Sequence, residues 1–138
     1  MKKIIISIKP KYVKKIYEGN KVIELRKSVG LNFIQNNKMY IYSSSPKKSI
    51  TGHAYIEKIE KATKSEIKRS YLNKIAISAD ELENYLVDDK KGILIWLKEI
   101  IEYEKPIPLA KLKETGFTAP QSYCYVSDAL TLLLNENT

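Results

Sequence analysis

The chain has 138 residues, of which 43% are hydrophobic and 29% charged, and it contains only five glycines and five prolines. This composition is typical of one folded domain and excludes a disordered, collagen-like or low-complexity chain. One cysteine and one histidine exclude an intramolecular disulfide and a zinc site, so we expect neither a metal nor any other cofactor.

The apolar segments of the sequence are short. The N-terminal run at 4–8 is too short for a signal peptide and is followed by Lys9 and Pro10, and the longest other dense run is 93–97. A membrane span needs about 20 apolar residues. We therefore expect a soluble, cytoplasmic protein with no membrane partner.

The net charge of +8 is unevenly placed along the chain. Residues 1–50 hold twelve basic side chains against two acidic ones, a net charge of +10, whereas residues 51–138 carry a net charge of −2. A basic field favours phosphate-bearing partners such as RNA or nucleotides. The alternative is a Lys-, Ile- and Asn-rich proteome in which protein surfaces are basic without a functional reason.

The first half of the chain predicts strands that are joined by a short helix and turns. A β-branched run at 2–8 is typical of a buried strand. Pro10 suits the first turn of a helix, and Gly19 suits its C-terminal stop. Three further strands are predicted at 21–27, 38–45 and 49–62.

The second half predicts a helical insertion and a long strand. Segment 64–75 has a helical pattern, and a capping box at Ser78 opens the next helix. Segment 91–106 is rich in β-branched and aromatic residues, which predicts a fifth strand at the centre of the sheet. A loop over 106–120 and a weakly apolar helix near 121–134 end the chain.

No internal repeat or composition break divides the sequence, so we expect a single domain over 1–138. Five to six strands in mostly non-crossover order predict an α+β fold with a curved, barrel-like sheet. Short helices are expected between strands 1 and 2 and between strands 4 and 5.

The order of these elements resembles the ASCH domain family, a branch of the PUA-like superfamily of small β-barrels. The resemblance covers about residues 3–125, and its most specific part is YEGNKVIELRK, with Gly19, Lys21 and Arg26 at the family's spacing. The segments YIYSSSP, GHAYIEKIE and GILIWLKEI match as well. This resemblance implies a PUA-like barrel that binds RNA or a modified base in a cleft beside the second strand.

Some small ASCH proteins are amidohydrolases that remove the acyl group from N4-acetylcytidine. The resemblance implies a catalytic lysine, a threonine three residues later and a glutamate from the helical insertion. Lys21 matches the lysine, but Glu24 stands at the threonine position and 73–78 has no carboxylate. We therefore expect a binding domain, and the alternative is an amidohydrolase with Lys21 and Glu24 as catalytic residues.

Lys21, Glu24 and Arg26 are the central candidates for the site. A carboxylate beside a lysine keeps the ammonium charged, so Glu24 favours Lys21 as a hydrogen-bond donor over a nucleophile. Glu24 and Arg26 share a strand face, and Lys21 joins them only from a turn or bulge before the strand. The charges are either a solvated surface ion pair or groups that orient a base and a phosphate. In the second case, Glu24→Gln weakens binding while stability holds or rises.

Three other segments supply further ligand-binding candidates. They are the residues that flank Pro10, the serine-rich loop and a Gly- and Pro-marked aromatic loop over 115–126: Lys9, Lys11, Ser43, Ser44, Ser45, Gln121 and Tyr123. The alternatives are a plain Ser-Pro turn and aromatic side chains that close the end of the barrel. His53 stands alone on its strand and is interpreted as a packed or solvated histidine.

The preferred interpretation is an ASCH domain that binds RNA or a nucleotide. Its cleft is expected between the 19–26 turn and strand, the Ser43–Ser45 loop and the 115–123 loop. A third interpretation, a protein-interaction module that uses the basic helix at 10–18, has no sequence feature of its own.

Overall fold

The computed structural model describes residues 1–87 and 90–137, and within them no helix is long and apolar enough to span a membrane. The strands are β1 (Ile4–Ile8), β2 (Ile23–Arg26), β3 (Lys38–Ser43), β4 (Ser49–Ala62), β5 (Gly92–Pro108) and β6 (Tyr123–Tyr125). The helices are α1 (Pro10–Tyr17), α2 (Lys64–Ser70), α3 (Leu72–Ile75), α4 (Ala79–Tyr85), α5 (Leu109–Leu112), a 3-10 helix (Lys113–Thr115) and α6 (Asp128–Asn137).

The strands form one mixed sheet in the order β2-β5-β4-β3-β1-β6. β1 runs parallel to β3, and the other neighbouring pairs are antiparallel. The sheet curls into a half-barrel whose two edges are β2 and β6. The predicted α+β fold, with a PUA-like curved sheet and helices between strands 1 and 2 and strands 4 and 5, is confirmed.

The prediction that β5 is the central strand is wrong. β5 lies between β4 and the edge strand β2, while β4 and β3 occupy the centre of the sheet. The apolar run in β5 reflects burial on both faces, because Ile93 and Ile95 belong to one buried cluster and Leu94 to another. A continuous apolar run therefore indicates a strand with two covered faces but does not specify its place in the sheet.

Buried side chains form three clusters on the two faces of the sheet. One face, here called the inner face, packs against α1 through Val13 and Ile16. The opposite face, here called the outer face, is covered by α2–α4 in one region and by α5 and α6 in another. Along β1, Ile4 and Ile6 point to the inner face and Ile5 to the outer face. The inner-face side chains Ile4 and Ile6 belong to the same buried cluster as Val13 and Ile16 of α1, so α1 lies on the inner face.

Side-chain caps set the starts of two insertion helices. The predicted capping box at Ser78 is present, because the Glu81 amide donates to Ser78 Oγ at 3.0 Å and the Ser78 amide donates to Glu81 Oε1 at 3.1 Å. Thr63 and Glu66 form a second capping box at the start of α2, which the sequence reading did not identify. Both caps satisfy amide groups that have no partner within the helix.

Three connections differ from the prediction. The segment 64–75 forms two helices that meet at Tyr71, and the predicted loop over 106–120 contains the end of β5, α5 and the 3-10 helix. The helix predicted near 121–134 begins at Asp128, because β6 pairs with β1 ahead of it. A three-residue edge strand has no periodicity that a local reading can detect.

Gly52 of β4 lies in close contact with backbone and side-chain oxygens. A Cβ atom here would lie 2.5 Å from the Tyr17 hydroxyl oxygen and would also meet the carbonyl oxygen of Ile101. We expect Gly52→Ala to lower the free energy of unfolding by about 1 to 3 kcal/mol, because a backbone carbonyl cannot move aside cheaply. Chemical denaturation of the two proteins measures this difference.

Gly19→Asn is the matched control. Gly19 has a φ of 83° and open space around the Cβ position. Asn tolerates this conformation, so the cost is about 1 kcal/mol or less. Equal losses for the two variants would show that steric contact at Gly52 is not the cause.

Candidate functional site

A cleft of about 650 Å³ lies beside β2. It is bordered by α1, by the helical insertion, by the end of β3 and by the loop before β6. The polar side chains that line it are Ser7, Lys9, Tyr12, Lys21, Glu24, Arg26, Lys27, Ser28, Ser44, Glu81, Tyr85, Gln121 and Ser122. A cavity of this volume is in the range that binds small molecules and cofactors.

The floor of the cleft is an ion network of Lys21, Glu24 and Arg26. Lys21 Nζ lies 3.3 Å from Glu24 Oε1, and Arg26 Nη2 lies 2.8 Å from Glu24 Oε2. The side chains are 2%, 9% and 13% exposed in chain order, which excludes the solvated surface ion pair. Lys21 lies on the turn before β2, where its amide donates to the Lys15 carbonyl, so the geometry required for the three to meet is present.

Arg26 connects the two sides of the half-barrel. Its Nε donates to Glu24 Oε2 at 2.8 Å on its own strand. Its Nη2 donates to the Ser7 carbonyl of β1 at 2.7 Å, and Nη1 donates to Ser122 Oγ at 3.0 Å. The guanidinium group is therefore hydrogen-bonded to protein acceptors, and it connects β2 to β1 and to the loop before β6.

Lys21 is also fixed by protein groups. Its Nζ donates to the Ile75 carbonyl at the end of α3 at 2.7 Å. Burial lowers the pKa of Lys21 and outweighs the opposing effect of Glu24. Glu24 acts on this pKa in the expected direction, but the loss of hydration is the larger effect at this depth.

Tyr12 and Glu81 form a wall of the cleft that the sequence reading missed. The Tyr12 hydroxyl donates to Glu81 Oε2, and Lys11 Nζ lies 3.5 Å from the same oxygen. The Tyr12 hydrogen bond is the main reason that the pKa of Glu81 is lowered to about 2. Glu81 carries a sequence signal only as part of the capping box at Ser78. Its contact with α1 depends on the fold.

The rim of the cleft carries Lys9 and Lys27, both exposed. Among residues 1–87 and 90–137, neither lysine has an acidic partner within ion-pair distance. Lys27 Nζ lies 4.9 Å from the centre of the Tyr85 ring. Ser44 and Gln121 complete the predicted residues that the cleft brings together.

Four predicted site residues lie outside the cleft lining. Lys11 reaches it only through Glu81, and Ser45 is exposed in the turn before Pro46. Ser43 is buried and lines a separate pocket of about 300 Å³ on the Tyr17 side of α1. Tyr123 packs against Phe33 and Tyr125, with ring centroids 4.8 and 5.7 Å away, which matches the interpretation of aromatic side chains that close the barrel.

His53 lies away from the cleft. Its Nδ1 is 2.6 Å from the Tyr103 hydroxyl, and burial is the main cause that lowers its pKa. The described part of the chain contains no group of three or more His, Cys, Asp or Glu side chains that could hold a metal ion.

Comparison with known proteins relates most of the chain to proteins of one fold. A profile of the family described as "Domain of unknown function (DUF365)" matches residues 1–116. The ASCH domain-containing ribonuclease of Zymomonas mobilis subsp. mobilis is 28% identical over 127 residues, which are 91% of this chain and 84% of that protein.

Solved structures show the same fold. The crystal structure of ASCH from Zymomonas mobilis has a TM-score of 0.89 at 28% identity and covers 98% of this chain and 94% of that chain. A mutant form of that protein also has a TM-score of 0.89, at 27% identity, and covers 99% and 98%. The N-terminal domain of McrB from Staphylothermus marinus has a TM-score of 0.53 at 16% identity, covers 80% and 78%, and shows similarity of fold alone.

The sequence predicts that replacement of Glu24 by Gln leaves stability unchanged or raises it. Because Glu24 is buried, we now expect the replacement to lower stability. Glu24→Gln would leave the buried cations Lys21 and Arg26 without their anion, so we expect the free energy of unfolding to fall by about 3 kcal/mol. Glu83→Gln is the control, since Glu83 pairs with Lys64 and Lys68 on the surface and should contribute about 1 kcal/mol or less. Urea titrations measure the unfolding midpoint of each variant. Equal midpoints for Glu24→Gln and Glu83→Gln would contradict a structural role for Glu24.

Proposed function

Because the chain belongs to the family described as domain of unknown function DUF365 and to the ASCH domain family, we propose that it binds RNA in its cleft. The observation that carries this proposal is a 650 Å³ cleft with a fixed polar floor and with Lys9 and Lys27 at its rim. Phosphate contacts supply much of the affinity for nucleic acid, and unstacked bases enter protein pockets. The name of the Zymomonas mobilis ribonuclease supports RNA as the ligand class.

We assign different parts of a nucleotide to different side chains of the cleft. Arg26 and Glu24 already bind each other and neighbouring protein groups, so they position the cleft and leave the ligand contacts to other residues. Lys9 and Lys27 suit the phosphates. Gln121 carries both a donor and an acceptor, which suits the edge of a base. We therefore assign the phosphate contact that was predicted for Arg26 to Lys9 and Lys27.

Cleavage of RNA is a second candidate function. It is supported by the name of the Zymomonas mobilis relative and by the position of Lys21 at the floor of the cleft. The nearby Tyr12 hydroxyl, hydrogen-bonded to Glu81, adds a further polar group at the wall. Transfer of a proton at a ribose hydroxyl requires ionisable side chains of this kind.

For deacylation of N4-acetylcytidine, one feature of the cleft favours the reaction and another opposes it. Glu81 supplies the carboxylate from the helical insertion that 73–78 lacks. Against this reaction, Lys21 Nζ is held by the Ile75 carbonyl and by Glu24, which occupies the threonine position. A lysine with two fixed acceptors is poorly placed to act as a nucleophile, so we do not expect the reaction.

The rim lysines give a direct test of RNA binding. We expect the double variant Lys9→Gln and Lys27→Gln to bind single-stranded RNA more weakly and to lower the slope of log affinity against log salt by about 1.4, since each lysine accounts for one phosphate and each phosphate contact on a single strand contributes about 0.7. Lys105→Gln with Lys113→Gln is the control, because both lysines are exposed outside the cleft. Fluorescence anisotropy at several salt concentrations measures both quantities. An unchanged slope in the rim variant would exclude the proposed phosphate contacts.

A single preparation tests the two reactions. We expect no release of acetate from N4-acetylcytidine above the buffer rate, because Lys21 is held by Glu24 and Ile75. Chromatography of the nucleoside measures this, and product formation that Lys21→Met abolishes would contradict the expectation. Incubation of end-labelled RNA with the same two proteins tests cleavage, and shortening that persists in Lys21→Met would remove Lys21 from that reaction.

A further inference from the structure

The outer face of the sheet is partly exposed between the regions that the helices cover. Tyr55, His53, Lys98 and Tyr103 are half-buried there, and Ile101 is 50% exposed. Under the helices, the outer face carries two buried apolar clusters, which Tyr103 and Trp96 border. The open region therefore has a different chemical character, with aromatic and basic side chains on one sheet surface.

Strand register places these side chains in rows across β3, β4 and β5. Lys38 lies opposite Tyr55, which lies opposite Lys98. Lys58 lies opposite Trp96 in a neighbouring row. Side chains directly opposite each other share a face of the sheet. Cations and aromatic rings therefore stand side by side along the outer face.

The aromatic rings in this region are not stacked on one another. His53 meets Tyr55 at an interplanar angle of 85°, with centroids 5.7 Å apart, and meets Tyr103 at 59°. Tyr71 meets Trp96 at 89°. An edge-to-face contact places the edge of one ring against the face of the other, so among the described residues His53, Tyr55 and Trp96 carry no ring stacked in parallel on a face. Stacking of a nucleic-acid base on such a face contributes about 1 to 3 kcal/mol.

The lysines lie beside the rings. Lys58 Nζ is 4.3 Å and Lys74 Nζ is 5.2 Å from the centre of the Trp96 ring, and Lys38 Nζ is 5.9 Å from that of Tyr55. Lys58 also pairs with Glu60 at 3.2 Å. The surface therefore carries more positive than negative charge next to its aromatic side chains, which is complementary to a phosphate backbone.

We propose that this surface, called the outer strip and defined as Lys38, His53, Tyr55, Lys58, Trp96 and Lys98, binds a single-stranded nucleic-acid segment. Bases stack on Tyr55, His53 and Trp96, and the lysines contact the phosphates. The outer strip shares no residue with the cleft lining, so this proposal goes beyond RNA binding in the cleft and is tested separately.

Charge and composition favour a nucleic acid over a protein as the occupant. The fully buried centre of a protein interface is depleted in lysine, whereas the outer strip has three lysines among six residues. Its neighbour Ile101 is half exposed but does not extend into a contiguous apolar patch of strip residues. Single strands without sequence preference are bound by this combination of basic and aromatic groups.

Trp96 provides an internal probe, because it is the only tryptophan in the chain. The test is a titration of the full chain with an oligouridylate of about twelve nucleotides, a length that spans one such site. Phosphate binding draws Lys58 away from the indole ring, and stacking covers it, so the Trp96 emission is expected to change. In anisotropy measurements, Tyr55→Leu and the double variant Lys38→Gln and Lys98→Gln should each bind about tenfold more weakly.

The control and the cleft variant separate the possible outcomes. Lys105→Gln with Lys113→Gln should bind like the wild type, and thermal unfolding shows whether Tyr55→Leu is folded. Unchanged Trp96 emission together with unchanged binding by the lysine double variant would overturn the outer strip, and a loss of binding in Lys9→Gln with Lys27→Gln would then still support the cleft. Loss in the strip variants alone would support the outer strip and contradict the cleft. Absence of binding at low salt would overturn both.

Discussion

Glu24 is the residue on which the cleft depends, because its one carboxylate pairs with two largely buried cations that serve different parts of the fold. Its oxygens contact Lys21 on the preceding turn and Arg26 on the same strand. A charge removed from water costs several kcal/mol unless it is paired, so neither cation can stay buried without this anion. Through Arg26 the network reaches Ser7 and Ser122. A buried ion network, and not a strand ladder, therefore links β2 to the far side of the half-barrel.

The helical insertion is attached to the same network through backbone carbonyls. Lys21 and Lys15 donate to the carbonyls of Ile75 and Ala76, which end α3. Carbonyls at a helix C-terminus have no partner within the helix and carry partial negative charge, so they are suitable acceptors for ammonium groups. The floor and the wall of the cleft are consequently coupled. A ligand that draws Lys21 away from either acceptor also weakens the attachment of the insertion.

The sequence reading was most accurate where structure follows from local rules. β4 has the predicted bounds, and the capping box at Ser78 is present. Strand order was not predictable from periodicity, because the parallel pairing of β1 with β3 and the pairing of β6 with β1 join distant segments. For the site, the spacing of Lys21, Glu24 and Arg26 predicted that they could meet, but it did not predict whether they are buried. Burial depends on contacts such as that of Arg26 with Ser122, which are 96 residues apart.

Formal charge along the sequence is a poor guide to the charge available to a ligand. Residues 1–50 carry a net charge of +10, yet the charged groups of Lys21 and Arg26 are paired with Glu24 and with backbone carbonyls inside the protein. The segment 51–138 has a net charge of −2, yet it supplies lysines that lie beside aromatic rings or neutral amides, such as Lys74 and Lys98. An ammonium group that is paired with a carboxylate attracts phosphate less strongly than one whose neighbours are neutral. The surfaces of this fold with charge available for phosphate therefore follow from the pairing of individual side chains, and the count of basic residues does not locate them.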